Sequence, residues 1–291
     1  MTAAELVDTA ANAMRAIDAE AKREIRKFIL STRSGDGAFE GPGNDGPDPY
    51  YSFFAAMTLK ALDKHARIPI DDTAMARFAE TADKMDLAHI RSIAGIAALT
   101  RGRNDKTDTE TVRRLADFAA KDGGFHHARR SAAESTPYGI FLALAAAADL
   151  DAEHIARASS MADIIETKND AWTRRTVATE TAAILAVMAK AKRADSKRAR
   201  QAIDALQSLA RPDGGFAASK SIPFSDTLST SAAVYALRVS KKLDGKQTDN
   251  LKSFIESVWN EKSGGFAAVP YATPDSEHTF HAILALGCLP L

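Results

Sequence analysis

The sequence predicts an all-α fold, an (α/α)6 toroid in which six small, nearly uncharged inner helices stand inside about six amphipathic outer ones. Three observations predict it. A turn ending in an aromatic residue recurs along the chain. Each copy leads through a loop to an acidic residue and then to an Ala/Leu-rich helix. Amphipathic segments with charged faces fill the intervals. No strand pattern competes with this reading.

The turns begin Gly35-Asp-Gly-Ala-Phe39, Lys121-Asp-Gly-Gly-Phe125, Asn169-Asp-Ala-Trp172, Pro212-Asp-Gly-Gly-Phe216 and Lys262-Ser-Gly-Gly-Phe266. Glycine supplies the positive-φ conformations that end a helix, so these segments read as turns. The acids Asp48, Glu134, Glu180, Asp226 and Asp275 follow eight to ten positions past each aromatic. They are spaced by 46 residues (134 to 180), 46 (180 to 226) and 49 (226 to 275), while the 86 from 48 to 134 leave room for one more unit. Leu87 to Leu99 supplies its helix, with Asp86 at the start. An acid that recurs in every repeat implies a structural duty in each, capping an inner helix and tying down the loop before it. A ring of catalytic carboxylates at one mouth is the competing reading.

Outer helices are read at Asp72–Lys84, Thr109–Ala120, Glu153–Thr167, Ser196–Leu209 and Asp249–Trp259. Apolar residues recur there at three- and four-residue intervals, as at Ile203, Leu206 and Leu209. The segment from about Ala19 to Leu30 is a sixth outer element. Repeats that stack end to end make one body, so residues 1–291 read as a single domain.

Lys+Arg and Asp+Glu both number 38, and this neutral balance argues against nucleic acid as the main partner. The lone Cys288 lies in the apolar run Leu284 to Leu289 and reads as a small core residue, with no partner for an internal disulfide. Glu5 and Asp8 interrupt what a signal peptide would need, and no stretch reaches about 18 uninterrupted apolar residues. No membrane span is expected, and a cytoplasmic location is the default.

Together the Gly-Gly-Phe turn, the loop acid and the Ala/Leu helix resemble the prenyltransferase/squalene-cyclase repeat. The resemblance covers nearly the whole chain. It is strongest in the last two repeats, which look most like the β-subunit of Rab geranylgeranyltransferase. The matching stretches are Pro212 to Asp226, Leu251-Lys-Ser-Phe-Ile255, and Gly264 through Glu277-His-Thr279. The resemblance implies a catalytic zinc held by an Asp, a Cys two residues on and a His one repeat later, the metal converting a thiol into a nucleophile. Asp226 matches the Asp and His278 the His, but Leu228 fills the Cys position and cannot coordinate a metal. His281, one turn beyond His278, is a substitute donor on the same helix face. The alternative is that Asp226 caps its helix and His278 is a polar residue at a helix start.

The resemblance also implies a prenyl diphosphate site. Glu180 stands where that family has a His, a charge reversal unfavourable to an anion. Lys220 keeps one basic position, and Pro223 takes another. His126, His127, Arg129, Arg130, Arg174 and Arg175 lie in nearby loops, where they form either an alternative anion clamp or a solvated charge cluster. Ile70-Asp-Asp-Thr-Ala74 resembles the tail of the cyclases' Asp-x-Asp-Asp acid motif, but Pro69 takes the first acid's place and the segment opens an outer helix. N-capping is the expected duty there. Tyr50, Tyr51, Phe53, Phe54, Tyr138, Phe141, Tyr235 and Phe280 lie on inner helices, and about half are expected to face the cavity.

The leading expectation is a prenyltransferase β-subunit-like protein that binds an isoprenoid, as prenyl diphosphate, in a central cavity. Lys220, Arg129, Arg130, Arg174, Arg175, Tyr50, Tyr138 and Tyr235 would contact the substrate, and Asp226 with His278 would help hold zinc. The resemblance suggests a helical α-subunit or a protein acceptor as partners, which these residues do not themselves imply. The competing readings are a non-catalytic toroid that has lost the chemistry, favoured by Leu228 and Glu180, and a minimal terpene cyclase.

Overall fold

The computed structural model describes residues 1–43, 46–100, 105–168, 172, 176–245 and 250–290. Arg174, Arg175, the third aromatic turn at 169–171 and Asp249 lie outside the described residues.

Six inner helices form the ring: α3 (Pro49–Leu62), α5 (Leu87–Thr100), α7 (Pro137–Asp149), α9 (Ala178–Lys190), α11 (Thr227–Val239) and α13 (Ser276–Gly287). Each packs on the next, and α13 packs on α3, so the ring is closed. These helices are apolar nearly all round and rich in alanine, as in Pro137-Tyr-Gly-Ile-Phe-Leu-Ala-Leu-Ala145. That composition suits elements buried between two neighbours and an outer layer. Outside stand α2 (Ala19–Ser31), α4 (Asp72–Thr81), α6 (Asp105–Ala116), α8 (Ala158–Thr167), α10 (Lys197–Gln207) and α12 (Leu251–Ser257). Their apolar stripes face inward: α10 buries Ala199, Ala202, Ile203 and Leu206, at spacings of one face of a helix.

Several outer helices end earlier than their patterns predict. α6 stops at Ala116 because Ala119 turns to pair with Phe125, and α12 stops at Ser257 because Trp259 pairs with Phe266. Arg33 with Phe39 and Ala210 with Phe216 repeat the same bridge. In each case the end of an outer helix folds back on the aromatic of the next turn. The expected positive φ is present at Gly37, Gly123, Gly214 and Gly264. Gly264 lies against the Glu24 backbone of α2, so the last turn docks on the first outer helix.

The recurring acids divide by their place relative to the helix start. The four aspartates cap: Asp48 accepts from Tyr50 N, Asp86 from His89 N, Asp226 from Ser229 N and Asp275 from His278 N, all within 2.7–3.1 Å. The two glutamates do not, which corrects the expectation of one shared duty. Glu134 is exposed, and Thr136 caps α7 in its place at 3.1 Å from Gly139 N. Glu180 lies inside the first turn of α9 and accepts from Tyr138 N at 3.0 Å, tying α9 to α7. Neither glutamate stands at an N-cap position: Glu134 precedes the cap Thr136, and Glu180 follows the N-cap residue Val177 inside the helix. Asp71 caps α4 at 2.9 Å from Ala74 N, as its position on an outer helix predicts.

One element has no counterpart in the repeat. Helix α1 (Ala3–Ala13) packs on α13, α3 and α5 across the end where the inner helices finish. Ala3 N donates to Asp149 at the end of α7 (2.9 Å), and Glu5 pairs with Lys190 at the end of α9 (3.2 Å). Gly287, the last residue of α13, sits against the Thr9 carbonyl, where a β-carbon would collide. The ring is therefore floored by α1 and capped by aspartates at its other end.

Candidate functional site

The ring encloses a cavity of about 370 Å³, lined by side chains from all six inner helices and by Leu6 of the floor. That volume lies within the ordinary range for small-molecule pockets. Of the eight inner-helix aromatics, every one but Tyr51 lines it, more than the expected half. Tyr50, Tyr138 and Tyr235 are therefore brought together as wall residues, contributed by α3, α7 and α11. Small residues such as Ala182, Ala183 and Ala232 leave the space that the aromatics enclose. Burial pushes the Tyr50, Tyr138 and Tyr235 phenols well above their ordinary range, so they stay protonated donors.

Arg91, Ser231 and His281 are among the polar groups of this largely apolar wall. Arg91 stacks over the Phe53 ring at 4.6 Å and pairs with Asp149 at 2.8 Å, both side chains being almost fully buried. Lysine and arginine otherwise fall only in the last turns of the inner helices, at Lys60, Lys190 and Arg238, so Arg91 early in α5 is the signal by which the sequence could have shown this pair. On the opposite side His281 Nδ1 lies 3.1 Å from Ser231 Oγ, joining α13 to α11. Burial lowers the His281 pKa to about 3, so the ring is neutral.

The capped ends of the inner helices form the mouth. Tyr50 donates to Glu277 Oε1 at 2.6 Å, and burial raises the Glu277 carboxyl above its ordinary range. His89 sits between Asp86 (2.6 Å) and Asp48 (3.5 Å), and its hydrogen bonds to Asp48 and then Asp86 raise its pKa to about 9. His278 Nδ1 meets Asp275 Oδ2 at 2.7 Å. Burial pulls that imidazole down, but the Asp275 carboxylate outweighs it and the net shift is upward.

The expected site residues are only partly assembled. Asp226 acts as the α11 cap and is close enough to His278 to raise its pKa slightly. Leu228, between them in the family's pattern, lines the cavity with an apolar side chain. Asp226 and His278 offer two donors, short of the three protein ligands of a catalytic zinc, and His281 is engaged with Ser231 one turn deeper. Asp275, Glu277 and His278 bring three ligand atoms within 4.8 Å of one another, but Asp275 is a helix cap and Glu277 is bound to Tyr50. These residues do not fit the zinc site that the resemblance implies.

The basic residues are elsewhere. Lys220 is exposed in the loop before α11, and neither it nor Arg129 or Arg130 lines the cavity. Arg130 is spent on the outer layer, over the Phe118 ring at 5.4 Å and donating to the Ala82 carbonyl at 3.2 Å. His126 and His127 stack at 5.0 Å beside Tyr138. Cys288 is buried, with its thiol pushed up to about 12, as a small core residue. No described helix is long and apolar enough to cross a membrane.

Known structures share this fold. A variant of the type II terpene cyclase MstE from Scytonema, in complex with merosterolic acid A, superposes with a TM-score of 0.59 at 13% identity, covering 96% of each chain. A possible member of the GH105 family from Salmonella enterica serovar Paratyphi A reaches 0.59 at 12% identity, over 92% of this chain and 93% of that one. Candida albicans protein geranylgeranyltransferase-I, complexed with GGPP, gives 0.46 at 14% identity, over 91% and 77%. No curated protein sequence matches the chain. The prenyltransferase alpha-alpha toroid domain matches residues 2–96 and 89–290. The chain thus belongs to the prenyltransferase alpha-alpha toroid family.

Proposed function

We propose that this toroid is an isoprenoid-binding protein whose central cavity takes a prenyl chain. The observation that carries the reading is the cavity itself: about 370 Å³, floored by α1 and walled by Tyr50, Phe53, Phe54, Tyr138, Phe141 and Tyr235. Burying a branched hydrocarbon there releases about 25 cal/mol for each Å² of apolar surface removed from water. The resemblance of the last two repeats to the Rab geranylgeranyltransferase β-subunit supports the same ligand class. Thiol transfer on zinc is not part of the proposal, because Leu228 leaves the donor set one short.

The test is calorimetric titration of the protein with geranylgeraniol, beside Ala232→Trp, which fills the cavity. Saturable one-to-one binding that the tryptophan abolishes, in a variant that still melts cooperatively, supports the reading. Binding that survives in Ala232→Trp places the ligand outside the ring and defeats it.

One observation favours a second reading, acid-catalysed cyclisation. Glu277 has a raised pKa and is hydrogen-bonded to Tyr50, a cavity wall residue. An acid so placed would give its proton to an alkene carbon, and the resulting cation would lose a proton back to the same pair. Incubation with geranylgeraniol and analysis by mass spectrometry checks this: an isomeric product lost in Glu277→Gln supports it, and unchanged alcohol removes it.

A further inference from the structure

The charges around the cavity decide which head group it accepts. Negative charge dominates the mouth among the described residues. The Tyr138 phenol is raised first by burial and then by Glu277, Asp86 and Glu180, while Arg91 alone opposes them. Tyr51 at the rim is pushed up to about 12 by burial and by Asp275, Glu277 and Asp48. The imidazoles that could offset these acids are already held, His89 by Asp48 and Asp86 and His278 by Asp275. Arg91 is the one lysine or arginine lining the described cavity wall, and Asp149 neutralises it. A diphosphate entering here would leave water, meet like charge and find, in the described cavity wall, no lysine or arginine without a carboxylate partner.

Deeper in the cavity a neutral polar pair faces the opposite requirement. Ser231 and His281 both line the space, on α11 and α13, with the Phe54 ring 5.2 Å from the imidazole. Their mutual hydrogen bond uses His281 Nδ1, and among the described residues Nε2 has no protein partner. A serine hydroxyl and a neutral imidazole together can give and receive one hydrogen bond, which is what an alcohol needs and an anion cannot use fully.

We propose that the cavity takes an isoprenoid alcohol, its hydroxyl seated on the Ser231–His281 pair, and discriminates against the corresponding prenyl diphosphate. This proposal rests on the isoprenoid reading above and assigns its head group.

The experiment titrates wild type and Ser231→Ala with farnesol, farnesyl diphosphate and the hydrocarbon farnesene, with cooperative melting checked for both proteins. Wild type should bind farnesol at least about tenfold more tightly than farnesyl diphosphate. Ser231→Ala should weaken farnesol by about tenfold, the value of one lost hydrogen bond, and leave farnesene unchanged. Diphosphate binding as tight as alcohol binding overturns the head-group assignment, as does an equal effect of Ser231→Ala on farnesol and farnesene. In both of those outcomes the isoprenoid reading survives. Absence of binding by all three ligands defeats the isoprenoid reading, and this assignment falls with it.

Discussion

Tyr50 donates a hydrogen bond of 2.6 Å to Glu277 across 227 positions of sequence, at the seam where α13 returns to α3 and the ring shuts. The bond satisfies a buried carboxyl where the last repeat meets the first, beside the bond of 3.0 Å from Ser276 Oγ to the Tyr51 carbonyl. Tyr50→Phe therefore lowers the unfolding free energy by about 1–3 kcal/mol in urea titrations, the cost of leaving a buried acceptor unpaired. Tyr51→Phe, one residue on, changes it by less than about 0.5 kcal/mol.

The same pair has a pH signature. Burial raises the Glu277 pKa above 4.5, so the folded chain binds that proton more tightly than the unfolded chain does. Its contribution is greatest below the unfolded pKa and is lost as pH rises through the folded one. Glu277→Gln removes the slope, so the variant gains on wild type between about pH 4 and pH 7. Unfolding free energies measured across that window check it; parallel curves would contradict it.

His89 behaves in the opposite range. Held by Asp48 and Asp86, it has its pKa raised from 6.5 to about 9. The stabilisation is complete below pH 6.5 and is lost as pH rises through about 9. With partial solvent screening it is on the order of 2 kcal/mol. The difference between wild type and His89→Gln should shrink by that amount between pH 6 and pH 10.

Two glycines with the same backbone angle separate strain from collision. Gly214 and Gly46 both have φ near +92°, but a β-carbon on Gly214 would strike the Asn250 carbonyl while one on Gly46 meets nothing within 4 Å. Gly46→Ala costs about 1 kcal/mol of conformational strain. Gly214→Ala costs at least about 2 kcal/mol more in the same unfolding assay, because backbone must move.

The Arg91–Asp149 pair joins α5 to α7 and, through Ala3 N, to the floor helix α1. Arg91→Met leaves Asp149 buried without its counter-charge and costs about 3–5 kcal/mol. Adding Asp149→Leu should recover much of that loss, and a double-mutant cycle by denaturant titration measures the recovery.

The repeat was legible because its signals are local. A glycine needing positive φ, an aspartate cap and an alanine-rich helix recur at one spacing, and those fix the ring. Asp226 and Asp275 could be read as caps for that reason. Glu134 and Glu180 could not be separated from them, since only the folded ring shows that Glu180 reaches the neighbouring helix. Helix α1 was missed because its job is to cover helix ends distant in sequence. The cavity's polar pairs, Ser231 with His281 and Arg91 with Asp149, each join residues 50 or more positions apart, 231 to 281 and 91 to 149. Pairing of that kind is set by how each inner helix packs on the next, which no local pattern encodes.

The most direct measurement is a crystal structure of the protein grown with farnesol. An isoprenoid alcohol seated on the polar pair gives a continuous chain of difference density inside the ring, between Tyr138 and Tyr235, with its oxygen within hydrogen-bond distance of Ser231 and His281. A ring holding only water, or farnesol bound solely on the outer helices, would contradict it.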